Sequence, residues 1–347
     1  MTEDPDVGNV FRRTRIVCVS DTHNTSPLDG AFKLPKGDVL IHAGDLTNQG
    51  SFSELQRAVQ WIEQADFECK IVIAGNHDIT LDERFYQQYG NRFHNQNPQD
   101  AKSCRELLTQ SKSITYLNHE ARDIRLTAPD GPRTCFKVFG SPFSPERGLW
   151  AFGYPQERST ALWDEIPLDT DIVLTHTPPQ SSCDVGKDRG NAGCEALRHA
   201  LGRVKPRLAI CGHVHEGRGV ERVRWADGNG NGVSWIDPGM GNNKMSMVDL
   251  TARRGTPLDN DGSFVNISTK DSAQTEDNLD KTDDSSSLVV APTMSSLTNS
   301  VGRKETCIIN AAIMASSWPH KGRGGKKLNK PIVVDIDLPV YESLDEI

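Results

Sequence analysis

The sequence predicts an α/β protein, and three observations carry that prediction. Short runs rich in Val and Ile recur through the first two-thirds of the chain, each closing on a polar or glycine-bearing turn. Helix-like stretches lie between several of them, the alternation typical of α/β folds. The polar residues just past these runs are repeatedly Asp, Asn and His.

In chain order the runs are 15–20 (RIVCVS), 38–43 (DVLIHA), 70–74 (KIVIA), 171–175 (DIVLT) and 207–211 (RLAIC). Their brevity and continuous apolar character are those of strands buried on both faces. Helices are expected over 52–67, 101–110 and 191–202. The run 133–139 (RTCFKVF) alternates polar and apolar residues and predicts an antiparallel strand.

Composition then divides the chain. Hydrophobic residues make up only 36% of it, and the mean hydropathy is −0.53, so part of the chain is expected to be solvated. Residues 251–300 hold sixteen Ser or Thr, eight acidic and four basic residues, and one aromatic, Phe264. Such a segment cannot offset its ordering entropy and is expected to be disordered. Strand-like runs return at 306–312 (TCIINAA) and 331–336 (PIVVDI). The expected organisation is a tail over 1–14, a main domain over 15–224, an insert over 225–304, and C-terminal strands over 305–347 that complete the domain.

Charge and cysteine usage narrow the function classes. The formal net charge is −8, which disfavours a general affinity for nucleic-acid polymers, so a small anion would need local positive charge to draw it in. The basic run His320 to Lys330 has no interleaved aromatic residues and reads as a loop between strands. No run approaches the roughly 18 apolar residues of a spanning helix, and the N-terminal stretch has no apolar signal-like region. The eight cysteines form no C-x-x-C pair, and Cys18, Cys135 and Cys211 sit in apolar runs, as reduced thiols do. A cytoplasmic protein without membrane contact is the expectation, of unspecified oligomeric state.

The chemistry lies past the strands. Asp21 and His23 (SDTH) follow the first run, Asp45 (HAGD) the second, and Asn76 and His77 (AGNHD) the third. His176 (THTPP) follows the 171–175 run, and His213 and His215 (CGHVH) the last. In extended backbone, residues i and i+2 point to the same side, so Asp21 and His23 can grip one ion, and His213 and His215 share the same spacing. Taken singly, each is as well read as a turn residue or a satisfied histidine. Together, five of the ten histidines, two aspartates and one asparagine fill one structural slot, the carboxyl ends of strands, where open α/β sheets bind ligands. Mixed imidazole, carboxylate and amide-oxygen donors suit Mn, with Fe, Zn or Mg as alternatives. Seven candidate ligands suit two divalent ions sharing a carboxylate. Two ions about 3.5–4 Å apart can generate a bound hydroxide and clamp an in-line phosphoryl displacement.

The series SDTH, HAGD, AGNHD, THTPP and CGHVH resembles the calcineurin-like metallophosphoesterases, whose pattern is D-x-H, G-D, G-N-H-[DE], H and G-H-x-H. The resemblance covers roughly residues 15–224. It implies a four-layer α/β/β/α metallophosphoesterase sandwich. One metal would be held by Asp21, His23, Asp45 and His215, and the other by Asp45, Asn76, His176 and His213, with Asp45 bridging. His77 would lie outside the cage as general acid, and Asp78 would orient an imidazole or stabilise the turn. The stretch 140–155 (GSPFSPERGLWAFGYP), with THTPP and CGHVHEGRGV, is similar to the metallophosphoesterase-domain-containing subfamily of cyclic-nucleotide phosphodiesterases. In that subfamily the strands resembling TCIINAA and NKPIVVDIDLP follow soon after the last histidine motif, whereas roughly eighty residues intervene here. The implied activity is metal-dependent hydrolysis of a small phosphodiester or nucleotide substrate. Arg147, Trp150 and Phe152 form a wall over that substrate or else pack as an ordinary loop. A phosphomonoesterase or protein phosphatase could use the same cage, and a non-catalytic scaffold of this fold is the alternative from another class. Protein phosphatases of this superfamily usually carry R-G and G-N-H-E elements, whereas here Leu46-Thr47 follows Asp45 and the third motif ends in Asp78.

Overall fold

A computed structural model describes residues 10–186, 192–225, 231–235, 246–260, 302–315 and 327–341. Two large sheets face each other with helices outside both. The first contains β1 (Phe11–Val19), β2 (Val39–Ala43), β3 (Cys69–Ile73) and β4 (Thr115–Tyr116). The second contains β5 (Glu120–Arg125), β6 (Cys135–Ser141), β9 (Ile172–Thr175), β10 (Leu208–Cys211), β11 (Gly219–Arg224) and β12 (Asn231–Trp235), with a small pair, β7 (Ser144–Pro145) and β8 (Gly153–Tyr154), in between. The chain then returns to the first sheet as β13 (Ser246–Leu250), to the second as β14 (Glu305–Asn310), and to the first again as β15 (Ile332–Pro339). The strand orders are β13-β15-β1-β2-β3-β4 and β12-β11-β14-β10-β9-β6-β5.

Side-chain alternation along the strands produces the layers. On β1, Ile16 and Cys18 point into the space between the sheets, where they meet Ile41, Ile71, Val138, Leu174, Ile210 and Ile309. Val17 and Val19 point the other way, onto α1 (Phe52–Gln64) and α3 (Ala101–Thr109), with Leu55, Trp61, Ile62 and Leu108. Helix α2 (Glu83–Phe93) lies on the same side and packs on α3. The outer face of the second sheet carries Phe139, Val173 and Ala209 against α4 (Ser159–Asp164) and α5 (Glu195–Val204). Three apolar layers, each buried on both sides, explain why the strands read as continuous Val/Ile runs. The fold is the expected four-layer sandwich. Helix α1 begins at a capping box: Ser51 accepts from Glu54 N, and the Glu54 carboxylate accepts from Ser51 N.

The parallel strands β1, β2 and β3 and β6, β9, β10 and β14 end at one edge of the sandwich. There Ile313 N ties the second sheet to the first by donating to Ser20 O at 2.8 Å, and within the second sheet Gly212 N donates to His176 O at 3.0 Å.

Several boundaries differ from the expected ones. Residues 11–14 belong to β1, paired with β15, and residues 1–9 lie outside the described part. The 133–139 run is antiparallel only to β5; β6 pairs in parallel with β9. The 225–304 insert is corrected in its first part, where β12 and β13 extend one sheet each. Residues 251–260, expected to be disordered, are pinned: Arg222 donates to Thr256 O and Pro257 O, and the Asn260 amide oxygen accepts from Lys304 N and Glu305 N. The expectation for 261–300 lies outside the described residues, as does most of the basic run 320–330. Among the described residues no helix is long and apolar enough to cross a membrane.

Candidate metal centre

Each candidate ligand sits on a sharp turn past its strand, and several hold a backbone conformation that side chains rarely adopt. Asp21, His23, Asp45 and His213 have φ of 53°, 41°, 53° and 65°. Such residues cost roughly 1–3 kcal/mol each and persist only where their surroundings enforce them. Backbone hydrogen bonds enforce them here. Asp21 N donates to Gly44 O (2.9 Å), His23 N to Asp45 O (3.1 Å) and Asn24 N to Leu46 O (2.9 Å), zipping the first two loops together.

The side chains converge. Asp21, His23, Asp45 and His215 are all buried, and one ligand atom of each lies within 4.8 Å of those of the others. His23 Nε2 is 3.3 Å from His215 Nε2 and 3.7 Å from Asp45 Oδ2; His215 Nε2 is 3.2 Å from Asp21 Oδ1. Across Asp45 lies a second group. His176 Nε2 is 3.4 Å from Asp45 Oδ1 and 3.0 Å from Asn76 Oδ1, which is itself 2.8 Å from His213 Nδ1. The structure thus brings together all seven residues singled out by sequence.

Their outer partners decide which nitrogens face inward. His23 Nδ1 is 3.0 Å from Thr47 O, and His176 Nδ1 is 2.9 Å from Ala43 O. A carbonyl can only accept, so each Nδ1 carries a proton and each Nε2 is the inward-facing nitrogen. Burial, opposed by Asp45, drives His23 down to about 3, and burial, with repulsion from His176, drives His213 down to about 3. Both are therefore neutral donors, the form a metal requires. His176 is different: burial lowers it, but the Asp45 charge and hydrogen bond outweigh that and raise it to about 9. Burial alone would raise Asp21, yet His215 holds it at about 2. Asp45 likewise lies well below the usual carboxylate range, because His176 and His77 outweigh its burial. Four imidazoles, two ionised carboxylates and an amide oxygen, with no thiolate among them, form a donor set that fits divalent cations.

His77 stands beside this group. Its backbone N donates to Asp45 Oδ1 (2.8 Å) and its Nδ1 to Asn48 O (2.7 Å). A cavity of ≈ 210 Å³ opens over the centre, lined among others by Asp45, Asn76, His77, Arg147, Trp150, His213 and His215.

One expectation is corrected, and one pair of alternatives is decided. Phe152 does not reach the cavity; it is buried against Phe143 in the core, and its backbone N donates to Asp82. Asp78 accepts from the backbone of Leu46, Thr47 and Gly75 and from Thr47 Oγ1, so it stabilises the Asp45 turn. Burial and the neighbouring Asp45 charge raise it to about 7.

Sequence reasoning missed three supports. Asn48 orients His77 through its carbonyl, which no side-chain pattern reveals. His42 is buried, with Nε2 3.0 Å from Oγ1 of Thr22, the residue between the candidate ligands Asp21 and His23. Asn310, at the end of β14, donates to Val214 O (2.8 Å), Cys183 O (3.0 Å) and Gly212 O (3.4 Å) and so anchors the His213–His215 turn.

The sequence profile of the calcineurin-like phosphoesterases matches residues 14–217. The chain belongs to that family. Members use divalent metals, in accord with the donor set above. Similar proteins include Probable rhamnogalacturonate lyase C of Emericella nidulans, 42% identical over 214 residues, which are 61% of this chain and 18% of that protein. Metallophosphoesterase domain-containing protein 1 of Homo sapiens and that of Mus musculus are each 39% identical over 220 residues, 60% of this chain and 62% of theirs. The matched region thus spans less than two thirds of the length of each of these relatives.

Proposed function

We propose that this chain hydrolyses small phosphodiesters, with cyclic nucleotides the preferred class, at a two-metal centre. The observation that carries the reading is the placement of Asp45 between two donor groups, with Oδ2 toward His23 and Oδ1 toward His176. In this reading Asp45 bridges: Asp21, His23 and His215 complete one site, and Asn76, His176 and His213 the other. Manganese is the first assignment, with iron, zinc and magnesium as alternatives. When bound, two such ions lower the pKa of a water and neutralise the charge that develops on the phosphoryl group.

The chain supplies the rest. His77 lines the cavity beside both donor groups. Its Nδ1 donates to the Asn48 carbonyl, which makes Nε2 the ring nitrogen that can meet a leaving oxygen. In this reading His77 delivers a proton to the leaving oxygen from Nε2, a contribution of typically ~10²–10⁴-fold. Arg147 is the one Lys or Arg among the described lining residues and supplies the fixed positive charge for a non-reacting phosphate oxygen. A cavity of ≈ 210 Å³ suits one small phosphoester.

The test is kcat/KM for 2′,3′-cAMP, 3′,5′-cAMP, AMP and a phosphopeptide, each with Mn, Mg, Zn and Fe. The cyclic diesters should lead, 2′,3′-cAMP first, because ring strain activates its leaving oxygen. A preference for AMP or the phosphopeptide would overturn the diesterase reading and leave the centre standing. No turnover with any metal would favour the scaffold reading.

A further inference from the structure

We propose that Trp150 is a positioning residue that holds the His77 imidazole in place for proton donation, and is not a stacking platform for a nucleobase. The inference rests on the assignment of His77 as the proton donor.

The geometry restrains the His77 ring on three sides. The Trp150 ring lies over it, with centroids 4.0 Å apart and planes tilted by 32°. His23 approaches edge-on, at 4.7 Å and 85°. The Asn48 carbonyl holds Nδ1 at 2.7 Å. Trp150 is itself backed by Phe93 at the end of α2, at 5.6 Å and 47°. A nucleobase stacking on the indole would have to displace one of these rings.

The loop carrying Trp150 is tied to the same turn as His77. Ala151 N donates to Asn76 O (3.3 Å), joining the residue after Trp150 to the residue before His77. Phe152 N donates to Asp82 Oδ2 (2.9 Å), while Asp82 Oδ1 caps α2 through Phe85 N (3.1 Å). Ser144 N and Glu146 N donate to Phe152 O and Tyr154 O, each at 3.1 Å, closing the base of the loop. Phe152 holds φ at 56°, a conformation such ties must maintain. The indole and the imidazole therefore move as one unit. Misplacing a reacting group by about 1 Å can cost on the order of 10²-fold in rate.

An ordinary packing role for Trp150 makes different predictions, and four variants separate the two: Trp150→Phe, Trp150→Leu, His77→Ala and Trp150→Leu/His77→Ala. Turnover is measured on 3′,5′-cAMP, a poor leaving group, and on bis(p-nitrophenyl) phosphate, a good one. Trp150→Leu should lose roughly 10- to 100-fold in kcat on 3′,5′-cAMP with little change in KM, and much less on the nitrophenyl ester. Trp150→Phe, which keeps an aromatic face, should restore most of it. In the His77→Ala background Trp150→Leu should cost nothing further. A loss carried by KM, or an equal loss without His77, would overturn the proposal in favour of substrate stacking.

A second readout needs no activity. In metal-free protein with labelled histidine, the His77 ring protons, assigned by their loss in His77→Ala, should lie upfield under the indole and move back in Trp150→Leu. Unchanged resonances in that variant would contradict the stack directly. Should the wild type turn over no phosphoester with any metal, the phosphoesterase reading fails by itself, and the ring resonances still decide whether Trp150 holds His77.

Discussion

A Cβ on Gly212 would lie 2.0 Å from Ser20 Oγ and 2.3 Å from Asp21 Oδ2, so the turn before His213 touches the first candidate ligand with no room to spare. Gly212→Ala should push these loops apart, destabilise the protein by about 1–3 kcal/mol and cost bound metal; urea melts and metal analysis on the same sample check both. A variant as stable and as metal-loaded as wild type would contradict the close approach. His77→Ala separates chemistry from assembly, because His77 is assigned no metal. It should keep near-normal metal and lose about 10²–10⁴-fold in rate, most severely with poor leaving groups; a metal-free product would make His77 a ligand. At this scale the sequence was most legible. A ligand that must sit past a strand end leaves a local trace, an apolar run followed by Asp, Asn or His, and all seven such residues converge. The supports were illegible because they act through backbone or across the chain: Asn48 offers a carbonyl, and Asn310 lies 96 residues from Val214.

Elements built on three buried layers could be read from their apolar runs, whereas those at the margins could not. Helix α2 has a stripe of Phe85, Tyr86 and Phe93 packed on the core, but polar residues outnumber it and Gly90 interrupts it, so no apolar run marks the helix. Strand β13 alternates over only five residues, Ser246–Leu250, ahead of a Ser/Thr-rich stretch whose average composition hides it. Residues 251–260 owe their order to Arg222, Glu305 and Asn260, contacts that composition cannot register. Deleting 251–301 should therefore cost more stability than deleting 261–301 alone. Equal melting temperatures for the two deletions would show that the pinned stretch contributes nothing. Strand β14 has a sharper consequence. Replacing Asn310 by Leu removes the Asn310 donor from the buried Cys183 carbonyl and one of two donors from the Val214 and Gly212 carbonyls, which keep Gly217 N and Val214 N, at about 1–3 kcal/mol for the group left unsatisfied. Asn310→Leu should lower both the unfolding free energy and the metal affinity, since two of those carbonyls flank His213. A variant destabilised but unchanged in metal affinity would confine Asn310 to a structural role.

For the molecule as a whole, the two sheets supply different halves of one centre. Asp21, His23, Asp45 and Asn76 come from the ends of β1, β2 and β3, and His176, His213 and His215 from β9 and β10. Ions held between them cross-link the sandwich at its open edge and should stabilise it by mass action, about 2.7 kcal/mol at a hundredfold excess over Kd. Chelation should lower the melting temperature, and re-addition of manganese should restore it. The central claim is that Asp45 joins two metal sites, and its most direct test is the number of metal ions bound per chain in wild type and in Asp45→Asn after identical manganese loading. Two are expected in the wild type, and a loss of metal in Asp45→Asn, accompanied by a larger loss of turnover than in His23→Ala or His213→Ala. A wild type that holds one ion or none, or an Asp45→Asn variant that keeps two and most of its rate, would contradict it.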